Sequence, residues 1–247
     1  MPLPHVLPTA TSKSLLYRLT EGNDALRDKI GKNVMETYLF KILNNSGIYD
    51  FVSQERPFIY KKQNCKTPDV LVFKDNMMIG FESKLRTPSA KMRLLDKDTV
   101  KETKKIIVEN IKQIYKSVFE MYPNNFEDLP KISMENRYGI VVTLERFDFD
   151  GKTLFDIASE ELKLDPKMDK LLRHNIFIRS LYDIEEHCFL KDNLFYKILE
   201  SIKAGKTHDF IFNFGKKPKK YLDTDYKRFK DRILKLESIR KILEPTN

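Results

Sequence analysis

Residues 67–86 read "TPDVLVFKDNMMIGFESKLR", and the folding of this stretch decides the rest of the chain. Two short apolar runs flank Asp75 and Asn76, residue types that accept the left-handed backbone a tight hairpin turn demands. A two-residue turn there pairs Lys74 with Met77 and, counted outward, Asp69 with Glu82. Directly opposed residues share a face with Cβ atoms about 4.5–5.5 Å apart, so two like charges placed there repel. Lys84 falls on the same face by strand alternation, whereas Val70, Val72, Ile79 and Phe81 occupy the other. The expected hairpin has one apolar face and one face with two acids and an ammonium. An edge salt-bridge cluster is one account of these charges, but a single lysine neutralises only one of the two acids. A divalent cation removes that objection, because Mg²⁺ takes one or two carboxylates and keeps positions for water and a phosphate oxygen. A three-residue loop would instead put Asp69 and Glu82 on opposite faces.

Outward from the hairpin, helical periodicity is expected from Asn23 to Asn45, with Leu26, Ile30, Val34, Tyr38 and Ile42 at four-residue steps and Leu39 and Leu43 beside them. Extended runs follow at "YDFVSQERPFIY", "DVLVF" and "MMIGFES", which read most economically as a three-stranded meander. A long helix over 98–121 places Ile107, Ile111, Ile114 and Val118 on one stripe, and "YGIVVTLERF" reads as a strand. Then come helix "TLFDIASEELK", strand "NIFIRSLY", a helix near Phe189 to Ile202, strand "DFIFNF" and a final helix from Thr224 to Leu243. Residues 1–20, with Pro at 2, 4 and 8, read as an arm. Residues 21–150 form the core and 151–247 a C-terminal α/β extension packed on it, the whole amounting to one structural domain of α/β class.

"PD" at Pro68 and Asp69 followed by "ESK" at Glu82 to Lys84 resembles the signature of the PD-(D/E)xK nuclease superfamily, whose fold is restriction-endonuclease-like. The order helix, meander, helix, strand between residues 23 and 147 is similar to that family's core, a central mixed β-sheet flanked by helices. The resemblance implies a divalent-metal-dependent phosphodiesterase, using Mg²⁺ or Mn²⁺, in which Asp69 and Glu82 are metal ligands and the Ser83 backbone carbonyl joins them. Lys84 would serve the attacking water. Glu36, in "GKNVMETYLF", occupies the place of a first-helix glutamate that many members carry. Gln113 matches a glutamine of exonuclease-like branches, but the tyrosine expected four residues later is Ser117.

Composition supports such a reading without specifying it. The 247 residues are 41% hydrophobic and 33% charged, as in a soluble globular protein, and the net charge of +9 favours a polyanionic partner. From Ser201 to Asn247 there are 13 Lys and Arg against 6 Asp and Glu. Within that segment Lys216, Lys217, Lys219 and Lys220 cluster beside Phe214 and Tyr221, a combination suited to phosphates and exposed bases. Arg86, Lys91 and Arg93, just past the motif, could track the scissile strand. No run is apolar enough for a membrane span and no secretory signal is apparent, so a cytoplasmic location is expected. Cys65 and Cys188 lack partners at zinc spacing. "AGKTH" and "DGKT" resemble ends of phosphate-binding loops, but Glu200 and Arg146 stand where the first glycine belongs.

The expected partner is DNA rather than RNA, with a homodimer or an ATPase or defence-complex subunit as possible protein partners. Restriction or anti-phage defence is the expected setting. The alternatives are a recombination or repair nuclease such as a junction resolvase, and a catalytically inactive nucleic-acid-binding or assembly subunit of the same fold. A structural protein whose hairpin charges only pair with one another is a third possibility.

Overall fold

The computed structural model describes residues 23–189, apart from 87–88, 90–91, 93–95, 123–125, 127, 148 and 150. The expected helix near 189–202, the strand "DFIFNF", the final helix and the N-terminal arm lie outside the described residues.

The chain begins with α1 (Asp24–Ile30), a π-helical segment (Gly31–Glu36) and α2 (Thr37–Asn45), which run on from one another. Strand β1 (Phe51–Gln54) follows, then β2 (Pro57–Tyr60), β3 (Gln63–Lys66), β4 (Val70–Lys74) and β5 (Met77–Lys84). Helix α3 (Lys97–Tyr115) continues into a second π-helical segment (Lys116–Met121) and leads to β6 (Arg137–Thr143). Helices α4 (Gly151–Leu162) and α5 (Pro166–Asn175), strand β7 (Ile176–Ser180) and α6 (Leu181–Phe189) complete the described chain.

Five strands form one sheet in the order β1-β4-β5-β6-β7. The first three pair antiparallel, while β6 and β7 add in parallel. The fold is thus α/β with a mixed central sheet flanked by helices. Lys74 pairs with Met77 and Val70 with Phe81, the register a two-residue turn imposes. Asp75 and Asn76 both carry positive φ, 49° and 60°, as such a turn requires.

Both sheet faces are covered, so the hairpin is not a half-buried ribbon with a bare charged side. Leu71, Phe73, Met78, Val141 and Ile176 join Ile107, Ile111, Ile114 and Val118 in one core beneath α3. Helix α2 touches β1 and β4. On the α3 side the layers approach closely because glycine faces glycine. Gly80 pairs with Gly139, and a Cβ on either would lie under 3.0 Å from a neighbouring side chain.

Three expectations need correction. The run "YDFVSQERPFIY" is two strands, not one: β2 and β3 form a separate hairpin inserted between β1 and β4. The chain leaves the main sheet at Glu55 and Arg56, just before Pro57, which cannot donate to a ladder. The buried stripe of the first helix is Met35, Leu39 and Leu43, whereas Val34 and Tyr38 are exposed. The stripe keeps four-residue spacing but runs one residue later than Val34 and Tyr38, on the row of Leu39 and Leu43. Finally, "LY" after "NIFIRS" starts α6 directly rather than extending β7, and α5 supplies an element absent from the expected order. Its start is marked by Asp165, which accepts a hydrogen bond from the Met168 amide, and by Pro166 at the first helical position.

Candidate metal centre

The end of the β1-β4-β5 meander gathers four acids. Gln54 pairs with Val70, and one step further the Glu55 amide donates to the Asp69 carbonyl at 2.9 Å. On the other side Val70 pairs with Phe81, and the next position opposite Asp69 is Glu82. Register therefore aligns Glu55, Asp69 and Glu82 across three adjacent strands. The fourth acid is Glu36, the last residue of the first π-helical segment. Side-chain oxygens of Glu36, Glu55 and Asp69 all lie within 4.8 Å of one another.

Each acid is held differently. Asp69 Oδ2 accepts from the Ser83 amide at 2.7 Å and from Ser83 Oγ at 2.8 Å. Glu82 Oε1 accepts from Lys84 Nζ at 2.9 Å and from Gln113 Nε2 on α3. Glu55 is ion-paired with Lys66 on β3. Ser117, where a tyrosine was expected, is buried and returns its hydroxyl to the Gln113 carbonyl at 3.0 Å.

Burial and mutual repulsion make the cluster reluctant to ionise. Burial, followed by the neighbouring charges of Asp69 and Glu55, raises the Glu36 carboxyl from 4.5 to about 7. Glu82 is likewise raised from 4.5 to about 7, by burial first and Asp69 second, with Lys84 opposing. Burial also raises Asp69, against the pull of its two Ser83 hydrogen bonds. Lys66 is ion-paired with Glu55 and Lys84 with Glu82. Lys32 also acts on Glu36 through its charge, and the fully ionised cluster of four acids still outnumbers these three lysines.

That deficit and donor set fit a hard divalent cation. All the donors are carboxylate oxygens, the ligands Mg²⁺ and Mn²⁺ prefer. Oxygens at about 2.1 Å from such an ion lie about 3.0 Å apart in cis and 4.2 Å in trans positions. A set already within 4.8 Å therefore needs only a small contraction.

The residues expected from sequence are thus brought together in part. Asp69, Glu82, Lys84, Glu36 and Gln113 converge on one region, with Asp69 and Glu36 in the tight acid cluster and Glu82 bridging to Lys84 and Gln113. Ser83 reaches Asp69 through its amide and hydroxyl. Arg86 is exposed, and its carbonyl accepts from the Leu144 amide at 3.1 Å. Lys91, Arg93, Lys216, Lys217, Lys219 and Lys220 lie outside the described residues. Sequence reasoning missed Glu55. Its signal is the strand register of β1 on β4, hidden in the sequence because β2 reads as a continuation of β1.

No family model matches this chain, and no curated protein matches it. Among solved structures, it is similar to the small subunit of the heterodimeric restriction endonuclease R.BspD6I, with 8% identity and a TM-score of 0.28 over 73% of this chain and 94% of that one.

Proposed function

We propose that the protein is a divalent-metal-dependent nuclease that hydrolyses phosphodiester bonds of DNA, with Glu36, Glu55 and Asp69 as the metal-holding acids. The observation that carries this reading is the convergence of three carboxylates within 4.8 Å beside an ion-paired Glu82–Lys84 couple, at the position of the PD…ESK motif. When bound, Mg²⁺ or Mn²⁺ would supply charge neutralisation and a more acidic water. Lys84, anchored by Glu82, would orient the attacking water and offset charge that develops on the phosphate oxygens. Gln113 donates to the same Glu82 oxygen that accepts from Lys84 and so helps hold that couple in place. Ser83 keeps one Asp69 oxygen fixed, which limits how the carboxylate can turn.

Restriction or anti-phage defence is the setting this reading favours, ahead of recombination or repair. Incubating plasmid, linear and single-stranded DNA, and RNA, with the protein in Mg²⁺ or Mn²⁺ tests it, beside EDTA and a Lys84→Ala variant. Cleavage of DNA that EDTA and Lys84→Ala both abolish is the expected result. Cleavage that survives EDTA, or is equal in the variant, rejects the mechanism. Metal binding and DNA binding without cleavage would instead favour an inactive assembly subunit of the same fold.

A further inference from the structure

Among the described residues two hairpins have two-residue turns, and they treat the turn differently. In the β4-β5 hairpin the positive-φ positions carry Asp75 and Asn76, the residue types that tolerate that backbone. In the β2-β3 hairpin the same positions carry Lys61 and Lys62, at φ 49° and 64°. Lysine has no local hydrogen bond to favour the left-handed region, so its presence at both positions runs against turn chemistry. Residues kept in disfavoured backbone regions concentrate at functional sites.

The rest of the hairpin leaves one face open to solvent. One face is anchored, with Phe58 edge-on to Phe126 at 5.4 Å, while Ile59 on the opposite face is 69% exposed and pairs with exposed Asn64. From Pro57 to Lys66 there are three lysines and no acid; Lys66 is paired with Glu55 at the base, and Lys61 and Lys62 are exposed at the tip. The base of the ribbon is clamped beside the metal centre. Thr67 and Arg56 exchange hydrogen bonds at 2.9 and 3.0 Å, Glu55 precedes them and Asp69 follows. Four residues per strand project the tip by about 14 Å from that base.

We propose that this ribbon enters the major groove of duplex DNA next to the metal centre, with Lys61 and Lys62 on backbone phosphates. It deepens the nuclease reading and rests on it for the position of the scissile strand. A two-stranded ribbon matches the B-DNA major groove, about 12 Å wide and 8.5 Å deep, whereas the A-form RNA groove is too narrow to admit one. Charge complementarity comes from the lysines, and the exposed Ile59 offers apolar contact to a thymine methyl group.

The test is the double substitution K61N/K62G, which removes both charges and installs the sequence a type I′ turn prefers. Binding to a labelled 20-base-pair DNA duplex is measured in Ca²⁺ across a salt series, beside an RNA duplex of the same sequence, with melting temperature read in parallel. Loss of two phosphate contacts should lower the salt slope by about 1.8 and DNA affinity by about 60-fold at 0.1 M salt. Melting temperature should rise by about 2–4 °C. Opposite movement of stability and binding is what a merely structural turn would not give. Unchanged DNA affinity and slope, absence of DNA binding by the wild-type protein, or an equal loss on duplex RNA would each overturn the proposal. Mg²⁺-dependent cleavage of plasmid is measured on both proteins. Cleavage with an unchanged slope rejects the ribbon alone, and ribbon-dependent binding without cleavage rejects the nuclease reading alone.

Discussion

Replacing Gly80 by alanine should separate the stability of the fold from the placement of the candidate metal centre. The new Cβ would meet Pro68 Cγ at 2.8 Å, Pro68 Cβ at 3.3 Å and Val118 Cγ2 at 3.2 Å. Carbon atoms pack best at about 3.5–4.0 Å, so Pro68 must retreat by about 1 Å or the π-helical segment must lift. Gly139, its partner across the sheet, gives an internal control. A Cβ there would lie 2.7 Å from Ile114 Cγ1 and from Ile176 Cδ1, side chains of the core that are not bonded to Asp69. Overpacking of either kind costs about 1–3 kcal/mol. Both variants should therefore melt about 3–10 °C below wild type. Only Gly80→Ala pushes on Pro68, which is bonded to Asp69. A displacement near 1 Å at a catalytic group can cost about a hundredfold in rate. Thermal melts and initial rates of Mg²⁺-dependent plasmid cleavage, taken well below both melting temperatures, are the assay. The expected result is similar melting for the two variants with a large rate loss in Gly80→Ala alone. Equal residual rates, or a Gly80→Ala protein as active as wild type, would refute the reasoning.

Glu36 and Glu82 hold protons in the native state up to about pH 7, whereas the unfolded chain releases them near 4.5. The native state then binds more protons across that window, so metal-free stability should fall as pH rises from about 4.5 to 7. Thermal melts of wild type against Glu36→Gln isolate this slope, which the variant should partly lose; identical slopes would contradict it. Mg²⁺ should raise the melting temperature more at pH 8 than at pH 5.5, because protons compete for the same oxygens. Glu55→Gln should weaken Mn²⁺ binding in calorimetry by about tenfold or more, comparably to Glu36→Gln, and unaltered affinity would remove Glu55 from the centre. Gln113→Ala should lower kcat while leaving Mn²⁺ affinity near wild type, since Gln113 contacts Glu82 rather than the three-acid cluster.

The hairpin was legible because its register follows from one turn: Asp75 and Asn76 fix the pairing that sets Asp69 beside Glu82. Glu36 was legible by residue type and position along the first helix. Its direction was not, because the helix buries the row of Met35, Leu39 and Leu43 and leaves Val34 and Tyr38 at the surface, a choice between two overlapping apolar rows. Tyr38 then meets Glu185 on α6, a partner far away in sequence. Glu55 was illegible for a topological reason. Its approach to Asp69 depends on β1 pairing with β4 across an inserted ribbon, and no local pattern in "SQERPF" announces that excursion except Pro57. Gln113 could be suspected from the motif, but its hydrogen bond to Glu82 depends on how closely α3 lies against the sheet, which Gly80 and Gly139 permit.

A crystal structure with Mn²⁺, read at the manganese absorption edge, addresses the central claim most directly. The account expects an anomalous peak bound by carboxylate oxygens of Glu36, Glu55 and Asp69 at about 2.1–2.2 Å, with the Glu82–Lys84 couple alongside. Manganese bound elsewhere, with these three carboxylates as far apart as before, would contradict it.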